Sequence, residues 1–189
     1  MMDFDSYNIF VKNKKTLKET SKDDSDTANI QYMTESELEV VDFDMVKRDY
    51  LNTLGLSENN AASVDAVVQF EDHIAFIEFK NGKVNNRNIK DKARDSLLIF
   101  SDITEKSISY TRDKADFIVV YNTEKNPLPN QLKKAVLQES PSRIAIARHF
   151  MDKAQKELIL FDLERYEKLY FRKVHTYSAE MFEKYLSVY

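Results

Sequence analysis

The sequence predicts an α/β domain in which a central mixed β-sheet is flanked by helices. Three observations carry that expectation. Residues 64–70 ("VDAVVQF") and 74–80 ("IAFIEFK") alternate like the two strands of a hairpin. An amphipathic stretch follows, "NRNIKDKARDSLLIF", which puts Ile89, Ala93, Leu97 and Phe100 on one helical face. Beyond it "ADFIVVYN" (115–122) is apolar almost throughout, as a central, parallel strand buried on both faces would be.

The remaining elements follow from punctuation. With two glycines and three prolines in 189 residues, each one marks a boundary. "YNIFVK" (7–12) reads as a short strand. Residues 13–31 are polar and charged and read as a flexible loop, so the N-terminal region 1–33, taken as a strand and an acidic flexible loop, is set apart from a single domain over 34–189. "TESE" (34–37) has capping-box spacing, with Thr34 as the cap and Glu37 three residues on, and predicts a helix to about Leu54 that stops at Gly55. The competing reading makes "LEVVDF" (38–43) a strand. After residue 122 the pattern predicts helices near 129–138 and 141–156, the second opened by Pro141. A late strand pair, "ELILFDL" and "KLYFRKVHTY", and a closing helix, "SAEMFEKYLSV", complete the chain.

Composition narrows the function. With 42% hydrophobic and 32% charged residues the chain suits one globular core. The absence of cysteine removes disulfides and thiolate zinc sites. No apolar run reaches membrane-span length and the N-terminus lacks the form of a signal peptide, so a soluble cytoplasmic protein is expected. The net charge of −4 argues against a nonspecific nucleic-acid coat, yet it is unevenly spread. Residues 1–79 hold seven Lys/Arg against seventeen Asp/Glu, whereas 80–115 hold nine against five. That basic segment is either the solvated face of a helix or a contact for phosphates. His73, His149 and His175 are scattered, and HExxH, CxxC, GxSxG and Gly-rich phosphate loops are absent from the sequence. The aromatic run "RYEKLYFRKVHTY" offers Tyr170, Phe171 and Tyr177 for stacking on bases, although packing in the core is the favoured reading.

Strand parity isolates one cluster. Asp65 shares a face with Val67 and Gln69, while Phe76, Glu78 and Lys80 share a face of the next strand. Apolar positions match across the hairpin only if the loop is even. A two-residue loop then sets Asp65 opposite Lys80, and a four-residue loop at 70–73 sets it opposite Glu78. Either way Asp65, Glu78 and Lys80 meet on one face at one end. Chance placement of 32 acids and 28 bases predicts about five acid-x-base triplets, yet Glu78–Phe79–Lys80 is the single instance in the chain. Two carboxylates beside an amine suit metal-assisted phosphodiester cleavage, because hard oxygen donors take Mg²⁺ and a lysine can orient water or offset phosphate charge. The bland alternative is a solvated ion-pair cluster, worth at most about 1 kcal/mol.

Asp65, then Glu78–Phe79–Lys80 on the next strand, then a basic helix and a buried strand, resemble the PD-(D/E)xK nuclease superfamily over roughly residues 35–122. The resemblance implies a restriction-endonuclease-like core and a metal-dependent endo- or exonuclease that hydrolyses phosphodiester bonds in nucleic acid, DNA foremost. It implies Mg²⁺, replaceable by Mn²⁺, and a role such as defence against phage. Asp65 and Glu78 would be metal ligands and Lys80 the catalytic lysine that positions water. A third carboxylate from the first core helix would be Glu35, Glu37 or Glu39, with Glu37 taken as the ligand. Lys92 and Ser96 are the candidates for a polar residue on the helix after the lysine, Ser96 as support for the site. Lys83, Arg87, Lys90 and Lys92 would contact nucleic acid. The strand that the family places before the aspartate would come from "LEVVDF" or "YNIFVK". The alternative function is a catalytically inactive nuclease-like module that binds nucleic acid or a protein partner, with the acidic N-terminal region as a docking arm.

Overall fold

A computed structural model describes residues 2–23, 26–127 and 158–189. Its centre is a six-stranded mixed sheet built from β1 (Lys14–Thr16), β4 (Glu39–Asp42), β5 (Ala66–Gln69), β6 (Ile74–Lys80), β7 (Ala115–Tyr121) and β8 (Lys173–Ser178), in the order β1-β4-β5-β6-β7-β8. Pairing is antiparallel from β1 to β6 and parallel from β6 to β8. A parallel neighbour requires a crossover. Between β6 and β7 it is supplied by α4 (Asn86–Thr104) and α5 (Ile108–Lys114).

Side-chain alternation divides the interior in two. One core gathers Val67, Phe76 and Val119 from the sheet with Ile89, Ala93, Leu97 and Phe100, the apolar stripe expected of α4. The other gathers Ala66, Val68, Ala75, Ile77, Ile118 and Val120 under Phe182 of α6 (Ala179–Leu186). Helices therefore cover both faces, and the α/β expectation holds. Among the described residues no helix is long and apolar enough to cross a membrane.

Local chemistry starts the two longest of the described helices. The Asn85 side chain accepts from the Arg87 and Asn88 amides to open α4. Asp42 accepts from the Met45 amide to open α3 (Phe43–Thr53), and Gly55, at φ 70°, follows its end as predicted.

Several expectations need correction. The segment 34–37 is not helical: "LEVVDF" supplies β4, paired on both sides, and α3 begins only at Phe43. The Thr34 hydroxyl donates instead to Glu183 and accepts from the Ser36 amide. Thr16 and Glu19 form a reciprocal capping box at α2 (Leu17–Thr20), so the same spacing served a different helix. "YNIFVK" contains helix α1 (Asn8–Val11), whose Phe10 packs on Phe4 and Phe100.

Residues 13–31 are not one loop. They hold β1, α2 and a small hairpin of β2 (Lys22–Asp23) and β3 (Gln31–Tyr32). Their charges hid the strand because they pair across it: Lys14 meets Glu39 and Lys15 meets Asp42, at 2.8 and 2.7 Å. With Met2, Phe4 and Phe10 in the main core, the N-terminal region is not set apart from the domain. Among the described residues, β8 stands in place of a late strand pair. Residues 158–163 run as irregular chain, with Phe161 and Asp162 at φ 65° and 55°. The helices expected at 129–138 and 141–156 lie outside the described residues. Tyr170, Phe171 and Tyr177 pack inward, Phe171 against Phe76 and Phe117, so the core reading of the aromatic run is correct.

Candidate active site

The β5–β6 register decides between the two loop lengths. Ala66 faces Ile77 and Gln69 faces Ile74, with the four-residue turn 70–73 closed by the Phe70 amide donating to the His73 carbonyl at 2.8 Å. Asp65 thus comes opposite Glu78. Its amide donates to the Ile77 carbonyl at 3.1 Å, and its Oδ2 accepts from the Phe79 amide at 2.6 Å. The aspartate is therefore held by the backbone of the strand that carries Glu78.

Glu78 projects into the α4 side of the sheet and is 0% exposed. Lys80 Nζ lies 2.7 Å from its Oε1. Lys92, from the second turn of α4, completes the group: its Nζ is 2.8 Å from Glu78 Oε1, 3.0 Å from Oε2 and 3.2 Å from Asp65 Oδ1. Glu78 Oε1 contacts both ammonium groups as an ion pair but receives no hydrogen bond of regular direction. One turn further along α4, the Ser96 hydroxyl accepts from the Val64 amide at 2.8 Å, so this buried serine fixes the residue before Asp65. Asp65, Glu78 and Lys80 thus lie together, with Ser96 behind them on Val64.

Other predicted residues do not join them in the predicted way. Glu37 is exposed in the segment before β4, outside any helix, and its charge acts on Lys18 rather than on the Asp65–Glu78 pair. Because the first core helix starts at Phe43, its first-turn acid is Asp44. That residue accepts from the Ser63 hydroxyl, and its field reaches both Asp65 and Lys92. Sequence reasoning missed Asp44 only because it began the helix too early. Lys92 is not a free phosphate contact, since the two carboxylates take up its ammonium. Lys90 is engaged by Asp162 at 3.4 Å. Arg87 reaches Asp91 only at 3.9 Å and is 93% exposed, and Lys83 is exposed, so these two remain available to a polyanion.

The electrostatics are those of two acids forced together. Burial, and then the Glu78 charge, push the Asp65 carboxyl up to about 7 from its ordinary 3.8. Burial alone would lower the Lys92 ammonium, but Asp65 and Glu78 outweigh it and raise it. A carboxyl whose folded pKa is raised leaves stability intact below its unfolded pKa and costs stability as pH rises through the folded value. Asp65→Asn is therefore expected to melt at a higher temperature, relative to the parent, at about pH 8 than at about pH 4. Melting curves of both proteins across that range test this, and a difference that does not grow with pH overturns it.

Beside the cluster opens a cavity of about 340 Å³ lined by Lys22, Asp65, Phe79, Lys80, Asn81 and Lys83, among others. The β2–β3 hairpin forms part of its wall and is tied down by Asn81, whose Nδ2 donates to Asp23 at 2.7 Å and to Gln31 at 2.8 Å. A larger cavity of about 700 Å³, at the carboxyl ends of β6 and β7, shares Asn81 and Met33 with it. Both carboxylates are hard oxygen donors within ion-pair reach of one cation. That donor set fits Mg²⁺, which keeps several waters and often takes only one or two protein carboxylates. Among the described residues no set of three or more Asp, Glu, His or Cys side chains is grouped to hold a metal ion, so water or substrate oxygens would have to complete the shell.

No protein-family model, curated protein or solved structure gives a significant match to this chain.

A second charged cluster lies near the amino ends of the parallel strands, on the opposite face. Asp116 is 2% exposed and takes a bidentate pair of hydrogen bonds from Arg172, at 2.8 and 2.9 Å. His73 and His175 approach its Oδ2 at 3.8 and 3.6 Å, and His73 is itself held by Asp72 and the Tyr185 hydroxyl. All of these groups are satisfied by one another, as in a structural clasp.

Proposed function

We propose that this protein is a metal-dependent nuclease of the PD-(D/E)xK type that hydrolyses phosphodiester bonds in DNA. The observation that carries the reading is the convergence of Asp65, Glu78 and Lys80 at the end of one hairpin, beside an open cavity. Asp65 and Glu78 would hold Mg²⁺, which when bound lowers the pKa of a coordinated water and offsets charge on the reacting phosphate. The chain's own residues do the rest. The Phe79 amide orients Asp65, and Ser96 fixes the strand entry through Val64. Lys80, leaning on Glu78, presents its donors toward the cavity to position the attacking water and to offset phosphate charge. Exposed Lys83 and Arg87 would set the register of the backbone through phosphate contacts without reading sequence.

A second reading keeps the site but not the chemistry. Two lysines already match the two carboxylates, which favours an inactive nuclease-like module that binds nucleic acid or a protein partner. Incubating purified protein with plasmid, linear and single-stranded DNA and with RNA, in Mg²⁺, in Mn²⁺ and in EDTA, separates the two. Cleavage that needs the divalent ion supports the nuclease. Binding to a substrate with no cleavage in either metal supports the module.

A further inference from the structure

We propose that Lys92 is a built-in counter-ion that occupies the cation position of the Asp65–Glu78 pair and must withdraw before a divalent ion can enter. The inference rests on the metal-site reading above and concerns what regulates that same site. Of the two acids the Lys80 ammonium is paired with Glu78, whereas Lys92 Nζ lies 3.2 Å from Asp65 and 2.8 Å from Glu78 and so spans both acids, as a shared metal ion would. With two carboxylates facing two ammonium groups, the cluster is already neutral when all four are charged. Adding a divalent ion beside both lysines would leave an excess of two positive charges in a place from which water is largely excluded: the Lys92 side chain is 17% exposed and Glu78 is 0% exposed.

Lys92 is also the lysine able to leave. Its four-carbon stem hangs from the rigid α4 and its three donors have no fixed plane. Asp44, half exposed on the first turn of α3 and only loosely paired with Lys47 at 3.7 Å, is near enough for its charge to act on Lys92 and offers a wetter partner. Ser96, on the same helix, stays hydrogen-bonded to Val64 and would keep Asp65 in place while Lys92 moves. In this arrangement the metal-free site is held together by its own cation rather than splayed by carboxylate repulsion, and metal affinity is set by how readily Lys92 is displaced.

The test measures Mn²⁺ binding to the full chain by the loss of the free-ion paramagnetic resonance signal, without nucleic acid. Lys92→Gln is expected to bind Mn²⁺ at least about tenfold more tightly than the parent. Its metal-free form should melt at a lower temperature, and Mn²⁺ should raise that temperature more than it does in the parent. Lys92→Arg, which keeps the charge, should bind no more tightly than the parent. A second measurement uses the unmutated protein, in case the glutamine variant does not fold. The acetylation rate of Lys92, read by mass spectrometry, should rise on adding Mg²⁺. Parental Mn²⁺ binding that Lys92→Gln leaves equal or weaker overturns the counter-ion role while the metal site stands, as does a Lys92 reactivity that Mg²⁺ does not increase. An absence of Mn²⁺ binding in both proteins overturns the two together.

Discussion

Glu78→Gln is expected to abolish the proposed divalent-ion-dependent DNA cleavage, lowering the rate by at least about a thousandfold. The glutamine is nearly isosteric but supplies no negative charge at the buried end of β6, where the carboxylate faces Lys80 at 2.7 Å and Lys92 at 2.8 Å. A bound metal contributes several kcal/mol of charge stabilisation to such a reaction, and each 1.36 kcal/mol is about tenfold in rate. Lys80→Met removes the amine proposed to position water but keeps both carboxylates, and should cost about 10²- to 10⁴-fold. Single-turnover rates on a labelled duplex check both values. Retained binding to the duplex and a native circular dichroism spectrum show that the loss is chemical. Undiminished cleavage by both variants would place the chemistry elsewhere.

The largest expected loss of stability belongs to the other cluster. Arg172→Met should destabilise the fold by about 3 kcal/mol, because it leaves Asp116 buried without its bidentate partner. The value sits at the low end for such pairs since Arg172 is partly exposed and His73 and His175 still approach the carboxylate. The clasp also has a pH signature. Burial works to raise the Asp116 carboxyl, but the hydrogen bonds from Arg172, with His175 close by at 3.6 Å, overcome it and hold the group down to about 2. A depressed carboxyl contributes stability that is complete above its unfolded value of 3.8 and is lost as pH falls through about 2. Urea unfolding of the parent should weaken across that interval from this group, and the variant should lack that component of the acid limb. A variant that unfolds at the parental urea midpoint near neutral pH would refute the assignment.

How much of this was legible beforehand depended on range. β5, β6, α4 and β7 could be read because periodicity is local: alternation every second residue and a stripe at Ile89, Ala93, Leu97 and Phe100 need no knowledge of neighbours. β1 could not, since "KKT" shows no apolar alternation and becomes a strand only through pairing with β4. The Thr-x-x-Glu spacing occurred at 16–19 and at 34–37 alike, and tertiary pairing decided which one capped a helix. Of the candidate site, parity of the hairpin sufficed to bring Asp65, Glu78 and Lys80 to one face.

What parity could not supply was the reach of side chains from other elements. Lys92 lies 27 residues from Asp65 in sequence and Arg172 lies 56 from Asp116, and both pairs depend on how elements pack against the sheet. The chain by itself determined which charges share an end of the hairpin, because a strand's side chains alternate whatever surrounds it. Only the tertiary structure decided which cation neutralises them, because that is set by the docking of α4 on the sheet through its apolar face, which leaves Lys92 over the two acids.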